Sequence, residues 1–438
     1  MAESKCALSR REWLAGVGAL AAGCSGWSAG EPEYDLLLRR GYVIDPKNGL
    51  SGTRDVAISG GKIAAVDEAI PVSKGFKVVD CEGLYVTPGL IDLHVHVYAG
   101  TNERSSYAGD NSVYPDSHAL RSGVTTVIDA GCAGWRNFED FRQTVIDRAR
   151  TRVLALANIV GYGMRGGEIE QDLGDMEAGP TAELAKRHSD VIVGVKTAHY
   201  AGPEWQPVEE AVRAGEAAGI PVMVDFGSSL PERPIEVLLT EKLRPGDIYT
   251  HCFSGNRREL LPDGTPNPAL FAGRERGVYF DVGHGGGSFK WSVAFKCLEA
   301  GFPPDSISTD LHIGSMNAGM QDQLTTMGKF LALGETLEDV IAQSTWNPAR
   351  EINREELGHL SPGAVADVSV LRLDTGEFGF VDSFGARQSG TQKLACELTF
   401  KDGRLAFDLN GRTRHDWREL PLHYGRQGES RWDGILNR

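Results

Sequence analysis

Eight short apolar runs alternate with helical stretches between residues 90 and 310, and few architectures accommodate that alternation. The runs cover 90–97, 125–129, 153–160, 191–196, 222–226, 248–251, 278–282 and 307–310. Short, nearly continuous apolar runs mark strands buried on both faces, which are parallel strands joined by crossover helices. Helices are expected over 136–150, 208–218, 289–300, 322–333 and 337–342, where apolar residues recur three or four apart. The pattern predicts an α/β fold in which residues 89–349 form a (β/α)8 TIM-like barrel.

The chain has 438 residues, more than one such core requires. Short strands separated by glycine-rich turns at 34–44, 55–66 and 77–80 precede the barrel. A similar block follows it at 363–371 and 393–407, with the turn Lys401-Asp402-Gly403. Both ends are expected to meet in a small β-sandwich domain built from residues 31–88 and 350–412, leaving 413–438 as a polar tail. Net charge is -15 and the basic residues are dispersed, which argues against nucleic acid or an anionic membrane surface as partner. Cys81, Cys132, Cys252, Cys297 and Cys396 have irregular spacing and read as small core residues, not a disulfide framework.

Residues 1–30 read as a targeting segment. Lys5, Arg10 and Arg11 precede the small and apolar run 13–22, which is far too short to span a bilayer. Ser9-Arg10-Arg11-Glu12-Trp13-Leu14 resembles a twin-arginine export signal, which implies a periplasmic location. Cys24 after Ala21-Ala22-Gly23 is close to a lipoprotein processing site, although Ala21 stands where Leu is usual, so a lipid anchor at Cys24 is a second outcome.

Barrels of this kind carry their chemistry at the C-terminal strand ends, and here those ends bear ionisable groups. In an extended strand His94 and His96 share one face, with Leu93, Val95 and Val97 on the other. An isolated His-x-His is most simply a pair of buried, hydrogen-bonded histidines. The fourth run, however, ends in Lys196, the fifth reaches Asp225, the sixth ends in His251 and the eighth in Asp310. Ionisable groups at the ends of buried strands require partners, and a metal centre supplies them for the whole set.

With these residues the chain resembles the amidohydrolase superfamily. The likeness is carried by Asp80-Cys81-Glu82-Gly83-Leu84-Tyr85-Val86-Thr87-Pro88-Gly89-Leu90-Ile91-Asp92-Leu93-His94-Val95-His96, Asn347-Pro348-Ala349, Gly358-His359-Leu360 and Gly363-Ala364-Val365-Ala366-Asp367. Its deacetylase and dihydroorotase-like branch is the nearest in pattern, through Gly194-Val195-Lys196, the segment 246–253, the segment 280–289 and Ser306-Ile307-Ser308-Thr309-Asp310-Leu311-His312. The resemblance implies two divalent cations, zinc first, held by His94, His96 and Asp310 on one side and by Asp225 and His251 on the other. Lys196 would bridge them as a carbamate formed with carbon dioxide, because burial and nearby cations push a lysine amine towards neutrality.

Asp225 departs from the branch, where His is usual. Two divalent ions bring four positive charges, while carbamate, Asp225, Asp310 and hydroxide each bring one negative charge, so the centre becomes neutral. That shift favours harder ions such as manganese or iron. A different reading pairs an unmodified Lys196 ammonium with Asp225 and leaves one metal on His94, His96 and Asp310.

Asp310 is expected to be catalytic as well, taking a proton from the attacking water and returning it to the leaving group. His199 is a candidate ligand or substrate contact. The run Gly283-His284-Gly285-Gly286-Gly287 offers amides and an imidazole to a substrate carboxylate or oxyanion. His312, Met316 and Asn317 border the same mouth, and Ala198 stands where the branch suggests Arg. His118, His188, His359, His415 and His423 receive ordinary surface or capping roles.

The expected activity is hydrolysis of an acyl amide or ester in a small acylated molecule, deacetylase-like, by attack of a metal-bound hydroxide. A cyclic amidase of the dihydroorotase or hydantoinase kind is the alternative, and a catalytically silent barrel used for binding is the third. Homo-oligomerisation is compatible with the chain, and no residue pattern fixes it.

Overall fold

The computed structural model describes residues 32–227, 230–422 and 424. The expected export segment with Cys24, His423 and most of the polar tail lie outside the described residues. Fifteen strands are present among the described residues: β1 (Tyr34–Asp45), β2 (Leu50–Ser59), β3 (Lys62–Asp67), β4 (Gly75–Asp80), β5 (Tyr85–Pro88), β6 (Leu90–Val95), β7 (Val124–Asp129), β8 (Arg152–Asn158), β9 (Ile192–Thr197), β10 (Val222–Val224), β11 (Ile248–Tyr249), β12 (Tyr279–Phe280), β13 (Val368–Val381), β14 (Arg387–Lys401) and β15 (Arg404–Asp408).

Strands β6 to β12 form a seven-stranded parallel sheet in sequence order. The eighth expected run is not a regular strand. Ser306 bridges Asp281 and Leu311 bridges Val95, both in parallel, but Asp310 takes a φ of 49° and so breaks the extended conformation between them. One sheet face packs Ile91, Leu93, Ile128, Leu154, Leu156, Val193, Met223 and Ile248 against Ala349, Ile352 and Leu357. The other packs Val95, Val127, Val153, Ala155, Val195 and Val222 against the crossover segments.

Two register slips matter for the site. One lies between Asp92 and Val95 on β6, the other where β9 meets β8 before Gly194. An extra residue in a ladder flips the side chains that follow it. Leu93 therefore packs with Ile91 in one cluster and Val95 and Val97 in another, so the expected common face for Leu93, Val95 and Val97 is corrected. The first slip spans His94 and the second lies two residues before Lys196.

Helices Gln206–Ala218, Trp291–Glu299, Gln323–Ala332 and Leu337–Ala342 occupy the expected connectors. The connector expected over 136–150 is instead one short turn, Phe138–Phe141, followed by a wider π turn, Arg142–Ile146. That turn places Arg142 on His188 (2.9 Å) and Asp190 (2.6 Å) of the next crossover. Helices Ala178–Arg187 and Pro268–Glu275 were not foreseen, although Asn267 caps the latter by accepting from the Ala269 amide.

The remaining strands form one eight-stranded mixed sheet, in the order β15-β14-β13-β5-β1-β2-β3 with β4 also on β1. A bulge between Leu38 and Gly41 lets the first half of β1 pair with β4 and its second half with β5. Pairing of β5 with β13 joins the two chain ends. The hairpin of β13 and β14 carries its tip to the loop after β12. There the Ser383 hydroxyl donates to the carbonyls of His284 and Gly285 (3.2 Å each), and Lys329 Nζ donates to Val381 O (2.7 Å). All five described cysteines are buried and unpaired. Among the described residues no helix is long and apolar enough to cross a membrane.

Helix Trp346–Glu351 brings Glu351 beneath the sheet, fully buried, with Oε2 2.9 Å from the Ser306 hydroxyl and Oε1 unpartnered. Burial, with Asp305 and Asp281 nearby, pushes its carboxyl well above the usual range. The folded state thus holds a proton that the unfolded state releases, and stability falls as pH rises above the ordinary carboxyl value of 4.5. Glu351→Gln is expected to stabilise the protein by about 1 kcal/mol or more at pH 8, the scale of a poorly satisfied buried polar group, and by less at pH 5. Melting temperatures of both proteins across that range check it; a constant offset would refute the assignment.

Candidate metal centre

His94 and His96 leave β6 on one face, and Asp310 arrives from the segment that bridges β6 and β12. Their donor atoms lie within 4.8 Å of one another and all three residues are buried. His96 Nε2 is 2.9 Å and His94 Nε2 3.6 Å from Asp310 Oδ1. Each imidazole is fixed from behind. Thr250 donates its hydroxyl to Asp281 (2.6 Å), so its oxygen is left to accept from His94 Nδ1 (3.0 Å), which leaves the His94 Nε2 lone pair facing the site. His96 Nδ1 is 3.2 Å from Cys132 Sγ. Asp281 also accepts from Ser306 (3.0 Å) and Ser308 (2.8 Å), and Asp92 accepts from Thr309 Oγ1 (2.5 Å) and N (3.0 Å). Burial pushes the Asp92 carboxyl up to about 7.

Burial and the adjacent Lys196 push His94 down to about 3, so it is a neutral imidazole at ordinary pH. Burial opposes ionisation of Asp310, but His94, His96 and His312 outweigh it and hold the carboxyl well below the usual carboxylate range. Two neutral imidazole nitrogens converging with an ionised carboxylate, each anchored by a neighbour, fit a divalent transition metal.

The opposite wall is built from β9, β10 and the turn after β11. Lys196 is fully buried, with Nζ 3.2 Å from His94 Nε2 and 3.5 Å from Met223 Sδ; burial lowers its amine. It is not paired with Asp225. Asp225 Oδ1 instead forms an ion pair with Arg257, while Oδ2 lies 3.3 Å from His251 Nε2 and 3.5 Å from His199 Nε2. The expected Lys196–Asp225 alternative is therefore corrected: a guanidinium holds the carboxylate that the ammonium was to take. His251 Nδ1 lies 2.5 Å from the Gly283 carbonyl, which directs its Nε2 at Asp225, and its ring is 5.0 Å from that of His94. His199, His251 and Asp310 all have positive φ, an uncommon conformation that local packing must enforce.

The expected substrate contacts divide. His199 Nδ1 is 2.7 Å from Glu170, and His312 Nδ1 is 2.9 Å from the Asp310 carbonyl, so each keeps one ring nitrogen towards the mouth. Both flank Tyr107, whose ring centroid is 4.4 Å from His96, 5.8 Å from His199 and 5.1 Å from His312. Tyr107 was not foreseen, because it sits in the long loop after β6 with no motif around it. His284 is corrected: its ring nitrogens meet the Gly285 carbonyl (2.9 Å) and Lys329 Nζ (2.5 Å), and the ring stacks on Phe289. The amides of Gly283, His284 and Gly285 are likewise spent on Ser308 Oγ, Ser308 O and Thr309 O, so they form no oxyanion site. Gly285 has another task. With φ at 53°, its Cα packs so closely on Asp310 Oδ2 that a Cβ would collide with the carboxylate.

A model described as the amidohydrolase family matches residues 85–233. A protein named a deacetylase from Agrobacterium fabrum is 35% identical over 352 residues, covering 77% of this chain and 83% of the relative. One of the same name from Enterococcus faecalis is 32% identical over 85% of this chain and 99% of its own. A solved adenine deaminase superposes with a TM-score of 0.78 at 30% identity, over 86% of this chain and 100% of that one. A dihydroorotase gives 0.74 at 30% identity, over 84% and 98%. The chain belongs to the amidohydrolase family. Within it the chain falls among the deacetylase and dihydroorotase-like members, and it is a hydrolase acting on C–N bonds.

Proposed function

We propose that the protein is a divalent-metal-dependent deacetylase acting on a small N-acyl or O-acyl compound. The observation that supports this best is the convergence of His94 Nε2, His96 Nε2 and Asp310, with both imidazoles fixed from behind. His94, His96 and Asp310 would hold one cation; Asp225 and His251 would hold a second, with Lys196 joining them as a carbamate. Bound divalent ions, zinc or alternatively manganese or iron, supply Lewis acidity to the carbonyl and to water. The ionised Asp310 carboxylate takes the proton from the attacking water and delivers it to the departing amine or alkoxide. Tyr107, His199 and His312 border the substrate.

The same reading has residues 306–311 close a (β/α)8 barrel over 89–349. A small sandwich-like domain from 31–88 and 350–412 supports the glycine loop. Export through the segment 1–30 to the periplasm, with Cys24 as an alternative lipid anchor, belongs to the proposal too. Likeness to a dihydroorotase favours a cyclic amidase as the second reading. The metal-reconstituted full chain is to be offered acetylated amino acids, acetylated hydroxy acids, dihydroorotate and hydantoins. Acetate release supports the deacetylase; turnover of the cyclic compounds alone would replace it with the amidase.

A further inference from the structure

Arg257 lies 4% exposed in the loop after β11. Its guanidinium pairs with Asp225 Oδ1, donates from Nε to the Gly227 carbonyl (2.5 Å) and from a terminal nitrogen to Ser254 Oγ (3.3 Å). A second carboxylate fixes the loop from beyond ion-pair distance of the guanidinium: buried Glu259 accepts from the Arg257 amide (3.0 Å) and from Ser254 Oγ (2.6 Å), and Asp225 outweighs it as the nearer charge. Asp225 is the carboxylate within ion-pair distance of Arg257 among the described residues. Its other oxygen faces His251 and His199.

The two oxygens of Asp225 thus have separate partners, a permanent cation on one side and the candidate metal wall on the other. A buried arginine cannot shed its charge, so a site with Arg257 is one unit more positive than the neutral count made from Asp225 alone. We propose that Arg257 is the charge partner of Asp225, so that the carboxylate meets the second cation as a ligand of nearly neutral character. This inference rests on the two-cation reading above. It makes Arg257 a positioning residue, and it removes the charge-based reason for preferring manganese or iron over zinc.

Zinc affinity, measured by competition with a chromophoric chelator alongside elemental metal content, tests it through a double-mutant cycle. Charges this close in a partly dry site change affinity by roughly tenfold or more. Arg257→Gln should therefore bind the second zinc at least about tenfold tighter, since Asp225 then gives the ion its full charge. Asp225→His should bind it at least about tenfold more weakly, because Arg257 is left unpaired beside it, and the double variant should return to within about threefold of wild type. A merely structural ion pair predicts the opposite, with every variant weaker and the double variant weakest, and that outcome overturns the proposal. Should Arg257→Gln fail to fold, Arg257→Lys keeps the charge and should match wild type; tighter binding there also refutes it. A wild-type chain that takes two zinc ions indifferent to Arg257 sinks this inference alone, whereas one that takes a single ion sinks the two-cation reading with it.

Discussion

Asp310→Asn should abolish turnover while the protein remains folded. The substitution keeps the shape of the side chain and removes both its charge and its ability to hold a proton. The carboxylate stands 2.9 Å from His96 and 3.6 Å from His94, where the proposed reading has it serve as ligand and base together. Loss of a positioned general base alone lowers rates about 10²–10⁴-fold, and a weakened ligand adds to that. We therefore expect kcat to fall by about three orders of magnitude or more. Stability should change in the other direction at acid pH. Because the folded carboxyl titrates below its ordinary value of 3.8, ionised Asp310 contributes stability that is present above that value and lost as pH falls below it. The variant should lack that contribution and so show less acid sensitivity. Turnover, metal content and melting temperature, taken on one preparation, check the set; an Asp310→Asn enzyme with full metal and a tenth of the wild-type rate would remove Asp310 from its proposed role.

Much of this site can be read from residue order because its strands are consecutive. His94, His96, Lys196, Asp225, His251 and Asp310 each stand at the end of an apolar run, and in a parallel sheet wound in sequence order such ends share one edge. What residue order does not disclose is set by contacts between distant segments. Alternation placed Leu93 with Val95, and a one-residue slip against β7 separated them. Proximity on neighbouring strands suggested a Lys196–Asp225 pair, but Arg257, contributed by the loop after β11, takes the carboxylate. His284 and the amides beside it looked available from their glycine context. Their partners come from Ser308, from Thr309, from Lys329 and from the distant hairpin of β13 and β14. A loop's composition shows where the chain can turn; it does not show which of its polar groups the rest of the fold consumes.

Lys196→Met tests the proposed bridging role of the lysine most directly. The Lys196 side chain is wholly buried, its amine within hydrogen-bond reach of only His94 Nε2 and Met223 Sδ among the described residues. With Arg257 on Asp225, no carboxylate among the described residues lies within ion-pair distance to keep Lys196 charged, and burial favours the neutral amine. A neutral amine attacks the carbon of carbon dioxide and loses a proton, giving a carbamate whose two oxygens can serve two cations. Methionine has similar length, no charge and no such chemistry. The apo variant is expected to be at least as stable as the apo wild type, because it exchanges a buried amine for an apolar group. Metal content should fall from two ions per chain to one or fewer, and turnover by about 10³-fold, the scale of losing a principal catalytic group. Bicarbonate separates this from mere loss of packing. Metal uptake by wild type should be slow in buffer stripped of carbon dioxide and restored when bicarbonate is added, while Lys196→Met should be indifferent to it. Wild-type uptake that ignores bicarbonate, with two ions retained by the methionine variant, would leave Lys196 as an unmodified buried amine and assign the second cation to Asp225 and His251 alone.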